Sequence, residues 1–527
     1  MFLLIVIILI ISFILYEAIA LLPSFLYWKR KKVSYISLQS TLKRMIFMDK
    51  SYFEMVRDDC KKFAGKRYFG SYLSIYPALY VTDIDLIKQM FVKDFEHFTD
   101  RFDLLNAQSD PIINKNLLAA RGKQWKELRT TVSPVFTNSK MKAMFVLIAE
   151  SARKFVEHFD AMDGDTIEVE MKEAFCKYTN DVIASCAFGA QCDSLKNPKN
   201  EIYLAGKIVT TTTPFKVLNV LFVTLFPKFN RIFGLNGFPK GISHVFKRII
   251  TQTIRTRENE GIIRPDLIHQ LMEARRGKLQ QENSNSDEVT GFATVSESKD
   301  LKSKSTLEIT DDVITAQAII FFMAGYEASS TLLSFLSHEL ATNPDVQQKL
   351  IREIDDHLSY SDSISFEMVT KMKYLDQVVT EALRKWPTAF ILFRKCTKEY
   401  TIQPKQEGEF PLTLQKGALT IIPFVATHYN EEYFENPDAF IPERFDDENK
   451  KNVIPGSYTP FGIGPRNCIG SRFALLEIKC LVANILSKFE FQVTEKTNIP
   501  LKLHKTLPMS IDGGVILSLK RRNVIKE

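Results

Sequence analysis

Phe461-Gly462-Ile463-Gly464-Pro465-Arg466-Asn467-Cys468-Ile469-Gly470 is the stretch that decides how this 527-residue chain is read. Gly462 and Gly464 allow a tight loop, because glycine reaches backbone conformations closed to other residues. The apolar run from Ile469 to Leu486 predicts a helix behind the loop. Cys468 then stands at a helix N-terminus, where unpaired N–H groups and the helix dipole favour an anionic sulfur. Gly470 has no side chain to obstruct a flat ligand, and Arg466, two residues before the sulfur, offers a cation to a carboxylate. A glycine-rich turn with a packing cysteine is the plainer alternative. Structural zinc is disfavoured because no second Cys or His stands nearby, and no Cys/His/Asn context supports protease chemistry.

The ten residues match Phe-x-x-Gly-x-Arg-x-Cys-x-Gly at every fixed position, and in this they resemble the haem-binding signature of the cytochrome P450 superfamily. The resemblance implies a mainly α fold with a minor β region, and haem b (iron protoporphyrin IX) held by Cys468 as the metal ligand, with Phe461 and Gly470 beside it. Thiolate ligation pushes electron density onto iron and favours O–O cleavage. Other landmarks stand in the same chain order. Glu381 and Arg384 lie three apart, a pairing that any surface helix can carry; together with Pro442-Glu443-Arg444-Phe445, the resemblance implies a structural network of Glu381, Arg384 and Arg444. Trp125 and Arg129 are spaced i, i+4, so a helix lets both reach one acidic group. By resemblance that group is a haem propionate, which Arg394 and Arg466 also serve. Ala324-Gly325-Tyr326-Glu327-Ala328-Ser329 resembles the family's oxygen-activation motif, in which an acid precedes a Thr. Here the Thr position is Ala328. Glu327 is expected to relay protons, and Ser329 supplies a hydroxyl one residue later, turned by about 100°.

Patterning fills in the rest. Thr310-Asp311-Asp312 starts a helix and Asn343-Pro344 stops it, giving one element of roughly 32 residues and about 48 Å whose middle, Ala324-Gly325, leaves bare backbone. Shorter helices are predicted at Met144 to His158, Pro344 to His357 and Lys371 to Lys385, with strand-like runs at Val81, Ile402 and Val515. Residues 274–306 turn polar and read as a mobile surface linker inside a catalytic domain of 52–527. Thr213 to Pro239, apolar and broken by prolines, reads equally as a lipid-dipping segment or as two core helices.

Phe2 to Trp28 is almost wholly apolar and Lys29-Arg30-Lys31-Lys32 follows. About 20 apolar residues cross roughly 30 Å of hydrocarbon, so 1–28 is expected to be a single-pass transmembrane anchor. Residues 29–51 are then a basic stop and linker, with the catalytic part on the cytosolic side. A signal peptide would need the charged leading region that is missing here. The Pro-rich hinge that microsomal relatives carry is replaced by Val33-Ser34-Tyr35-Ile36-Ser37-Leu38-Gln39-Ser40. The net charge of +7 is spread too widely for a nucleic-acid interface. Seven cysteines in no framework spacing suit a reducing compartment, with the six besides Cys468 as packing residues.

The resemblance is closest to animal microsomal drug- and toxin-oxidising members. It implies insertion of one atom of dioxygen into a lipophilic small molecule (xenobiotic, steroid or fatty-acid type) at the endoplasmic reticulum membrane. No Gly-x-Gly-x-x-Gly fingerprint is present, so NADPH acts only through a separate NADPH-cytochrome P450 reductase, with cytochrome b5 as a further partner. Lys123, Lys126 and Lys479 are candidates to face that acidic partner. Residues from Thr99 to Leu118, Phe215 to Phe238 and Phe390 to Leu392 line the expected pocket without encoding a unique ligand. Two rivals remain: a haem-thiolate isomerase or dehydratase that uses a peroxide without external electrons, kept open by Ala328, and a membrane-tethered haem or sterol carrier.

Overall fold

The computed structural model describes residues 23–47, 49–103, 110–211, 241–277, 290–295, 307–361, 363–505 and 509–523. The apolar segment through residue 22 and all of Thr213 to Pro239 lie outside these. The chain forms two compact units, one from 1–109, 212–237 and 391–426 and the other from 110–211, 238–390 and 427–527.

The first unit is built on a sheet of β1 (Tyr68–Leu73), β2 (Tyr76–Val81), β3 (Ile391–Lys395) and β4 (Leu419–Pro423), in spatial order β1-β2-β4-β3. β2 runs parallel to β4 and the other two pairings are antiparallel. Gly70 sets the β1 edge: a Cβ there would stand 2.3 Å from the Trp28 ring. The bare backbone thus admits the indole, which is buried and donates from Nε1 to the Ser71 carbonyl at 2.9 Å. Ser34 and Ile36 hydrogen-bond to Gly70 through the backbone, and the Tyr72 hydroxyl donates to the Ser24 carbonyl. The described part of residues 29–51, expected as a linker, is therefore folded along this edge. It continues into helix α1 (Leu38–Phe47) and ends at Ser51, which forms a reciprocal capping box with Glu54. Trp28, assigned to the anchor on hydropathy, belongs to this packing.

In the second unit we follow six helices: α2 (Gly122–Val132), α3 (Asn138–Asp160), α4 (Met171–Ile183), α5 (Asp311–Thr342), α6 (Lys373–Lys385) and α7 (Ser471–Leu486). A small antiparallel sheet joins Thr166–Glu170, Ile516–Arg521 and Phe489–Val493 in that order. The central helix α5 has 32 residues. Thr310 caps it by accepting the Val313 N–H, Asp311 and Asp312 complement its dipole, and Pro344 cannot continue it. Every residue from Ser329 to Ala341 is buried. The helix is long and apolar enough to span a membrane, yet most of it is enclosed by protein.

Of the expected linker 274–306, residues 278–289 and 296–306 lie outside the described residues. Thr290 to Val295 departs from that reading. Thr290 and Ala293 are buried, the Lys479 ammonium donates to the Thr290 carbonyl at 2.7 Å, and the Phe292 N–H donates to Asp376 at 3.0 Å. The Phe292 ring lies 5.3 Å from Phe445 and 5.6 Å from Tyr458. An apolar Gly-Phe-Ala core inside a polar stretch is docked on α6 and α7.

Candidate functional site

Phe461 to Gly470 is a wound loop. Gly462 and Gly464 take φ of +85° and +74°, a region that L-residues rarely enter, so glycine is required at both. The Cys468 N–H closes the loop on the Phe461 carbonyl at 2.8 Å. Helix α7 begins at Ser471, so the cysteine stands just ahead of its first turn and its orphan N–H groups. Cys468 is the one exposed cysteine of the seven. Burial pushes up the thiols of Cys60, Cys176, Cys186, Cys192, Cys396 and Cys480, which keeps them un-ionised packing groups.

Helix α2 fastens the loop. Arg129, buried, donates to the carbonyl and to the side-chain oxygen of Asn467, each at 2.9 Å. Trp125 lies one turn earlier, and the Arg466 guanidinium sits 4.6 Å from its ring centroid, a cation–π contact. Arg466 also donates to the carbonyls of Leu118 and Ala120. The structure thus brings Trp125, Arg129 and Arg466 to the cysteine loop, and Asn467, which sequence reasoning passed over, is where Arg129 grips it.

Glu381 and Arg384 form a two-pronged pair at 2.7 and 2.8 Å, both wholly buried, and Arg444 Nε reaches Glu381 at 3.4 Å. Arg384 further donates to the carbonyls of His428 and Ala439, and Glu381 accepts the Ile441 N–H. The three residues hold α6 against the segment from His428 to Arg444.

Across α5, Ala324 and Ala328 are exposed, one turn apart on a helix otherwise largely enclosed. Gly325 is crowded by Ile183: an added Cβ would lie 3.1 Å from its Cδ1. Glu327 faces α4, where its carboxylate accepts from Lys172 and from Thr331, each at 3.1 Å. Ser329 turns the opposite way from solvent and bonds the buried Glu477 of α7 at 2.6 Å. The motif's acid and hydroxyl therefore address different helices. Lys172 and Glu477 left no motif in the sequence, although a lone Glu within the apolar run of α7 was a visible oddity. Of the lysines expected to face a partner, Lys123 is exposed, whereas Lys479 is buried in an ion pair with Asp376 at 2.7 Å. Lys479 is a latch for Thr290, not a docking charge.

In the first unit, Arg394 lies on β3 and is wholly buried. Its Nη1 donates to the Phe393 carbonyl, while Nε and Nη2 have no partner among the described residues. Burial, and then the charge of Arg101, push its pKa well below the ordinary arginine value. A buried cation with unmatched N–H groups fits an anionic ligand group at this position.

These observations suit a thiolate-bound, carboxylate-bearing macrocycle. An accessible sulfur stands ahead of a helix, a Cβ added at Gly470 would meet only the Phe136 ring, at 4.0 Å, and α5 exposes small side chains. A mainly helical fold with one presented cysteine and such surroundings defines a haem-thiolate protein. The family model for cytochrome P450 matches residues 45–517. Cytochrome P450 9e2 of Blattella germanica is 41% identical over 495 residues, covering 91% of this chain and 90% of that protein. Probable cytochrome P450 9f2 of Drosophila melanogaster is 37% identical, covering 91% of each, and probable cytochrome P450 6a14 of the same organism is 34% identical, covering 94% and 96%. The chain belongs to the cytochrome P450 family and is an oxidoreductase of the haem-thiolate monooxygenase class.

Proposed function

We propose that the enzyme inserts one oxygen atom into lipophilic small molecules at the endoplasmic reticulum membrane, anchored through the apolar segment that precedes Trp28, with its catalytic part in the cytosol. Its electrons would come from a separate NADPH-dependent reductase, with cytochrome b5 as a second donor. The observation that carries this reading is the presentation of Cys468 on a glycine-wound loop ahead of α7. Bound haem supplies dioxygen activation and one-electron chemistry, and Cys468 would be its protein ligand. Gly470, Ala324 and Ala328 leave room for flat and small groups, while Arg129 and Arg466 hold the loop and offer cations to carboxylates. Arg394 would neutralise a carboxylate on its own account. Glu327, paired with Lys172, would hold a proton-accepting carboxylate on α5. Ala328 in place of a hydroxyl favours, as a second reading, peroxide rearrangement without external electrons. Demand for reduced nicotinamide separates the two.

The test is the optical spectrum of the reduced, carbon-monoxide-bound protein. A strongly red-shifted Soret band is expected in the natural protein and is lost in Cys468→His, where nitrogen replaces sulfur. An unchanged spectrum in that variant would remove Cys468 as ligand and the proposal with it.

A further inference from the structure

The docked segment Thr290 to Val295 has no part in the proposed function, yet it touches both ends of the cysteine loop. At the entry end the Phe292, Phe445 and Tyr458 rings form a closed triangle, with centroids 5.1 to 5.6 Å apart. Tyr458 stands three residues before Phe461, donates its hydroxyl to the Thr380 carbonyl at 3.0 Å and stacks on His428. The next residue, Thr459, gives its N–H to His428 and accepts the Gly462 N–H at 2.9 Å, while Phe461 accepts the Cys468 N–H. At the exit end Lys479 lies on α7, eleven residues past Cys468. Among the described residues its sealed ammonium meets two oxygens, one on Asp376 of α6 and the other the Thr290 carbonyl. Asp376 accepts the Phe292 N–H at its other oxygen. The backbone of the segment thus completes a buried ion pair from both sides. A turn from the Thr294 N–H to the Gly291 carbonyl, at 3.0 Å, holds its shape. Only glycine permits so close an approach, since a Cβ at Gly291 would stand 2.1 Å from Asp376 Oδ1 and 2.8 Å from Lys479 Nζ.

We propose that Thr290-Gly291-Phe292 is a clamp on the cysteine loop, and that Thr290 and Phe292 are positioning residues for the Cys468 thiolate. A loop wound through two positive-φ glycines has more backbone freedom to lose than one of ordinary residues, so its shape depends on what holds its ends. Arg129 grips the middle, at Asn467. The clamp joins the ends: Phe292 bears on Tyr458 ahead of the loop, and the Thr290 carbonyl bears on Lys479 behind it. With the clamp gone, the segment leading into Phe461 is free to move relative to α7. The sulfur then leaves the place where the orphan N–H groups of a helix start favour its anionic form. Neither residue touches the reacting atoms; both act through the loop. The inference rests on Cys468 as the haem ligand.

The test follows the carbon-monoxide spectrum of reduced holoenzyme over time, with each protein held at the same fraction of its own urea midpoint so that a general loss of stability cancels. Phe292→Ala and Gly291→Val should both start with the red-shifted band and lose it roughly tenfold faster than the natural protein, the scale of one lost buried contact. Phe292→Leu, which keeps much of the apolar bulk, should fall between and serves if either of the others fails to load haem. Asp83→Ala removes a helix N-cap in the other unit and should lose the band at the natural rate. A natural band lifetime in the Phe292 and Gly291 variants, or equally rapid loss in Asp83→Ala, overturns the clamp while leaving Cys468 as ligand. Absence of the red-shifted band in the natural protein would instead defeat the ligand reading on which the clamp stands.

Discussion

Arg394 carries a consequence that its surroundings make unusual. Two of its N–H groups are buried without partners among the described residues, and leaving such groups unmade costs about 1–3 kcal/mol. Arg394→Met should then leave the haem-free protein as stable to urea as before, or more so. The loaded variant should release haem faster, by about tenfold for each 1.4 kcal/mol of lost contact. A variant less stable without haem and unchanged in haem release would contradict this. Arg394 was legible only through family resemblance, since a lone Arg in a short strand has no pattern of its own. Cys468 was legible from physics as well, because glycine placement and the apolar run each had a separate reason. The turn of Ser329 away from Ala328 followed from helical rotation; its partner Glu477 did not, because nothing local to α5 encodes which helix lies 148 residues on.

At the scale of elements, α5 and the helix at Pro344–Leu358 were readable to within a residue because cap, dipole and proline signals coincide there. Helix α3 begins at Asn138, before its expected start at Met144, since Asn138 and Ser139 hide the first turn and no side chain caps it. The docked Thr290 to Val295 was missed because polar residues on either side dominate the composition, whereas four contacts made far along the chain decide its burial. Its chemistry sets an asymmetry. Asp376 is partly exposed but Lys479 is nearly sealed, with 1% of its side chain accessible. Asp376→Asn strands a buried ammonium and should cost on the order of 3 kcal/mol, whereas Lys479→Met leaves a carboxylate that water can reach and should cost clearly less. Gly291→Val should release the segment while leaving both charged residues in place. A Cβ there would stand 2.1 Å from the Asp376 carboxylate. Urea midpoints rank the first two variants, and proteolysis near Phe292 reports the third; equal midpoints for the charge variants would refute the latch.

For the whole molecule, two buried groups on opposite sides of neutrality shape stability against pH. His428 accepts the Thr459 N–H at Nε2 and faces the Arg384 carbonyl with Nδ1, an arrangement that needs the neutral ring. Burial, and then the Arg384 charge, push it from 6.5 down to about 3. Between those values the unfolded chain binds the extra proton, so stability falls as pH drops below 6.5 and the loss is complete near 3. Glu477 works in the other direction. The folded chain holds its proton up to about 8 while the unfolded chain loses it at 4.5, so stability falls as pH rises between them. From 4.5 to 6.5 the two slopes oppose and nearly cancel; from 6.5 to 8 only Glu477 acts, and below 4.5 only His428 does. A tenfold difference in proton affinity between folded and unfolded chains is worth roughly 1.4 kcal/mol, so both edges should be visible in urea midpoints. Glu477→Gln should abolish the alkaline decline and leave the acid edge in place. His428→Asn should do the reverse from a lower starting stability, because the amide keeps a donor for the Arg384 carbonyl but has no proton to gain. If either variant moved both edges, the two groups would not be the independent sites that their separate partners make them.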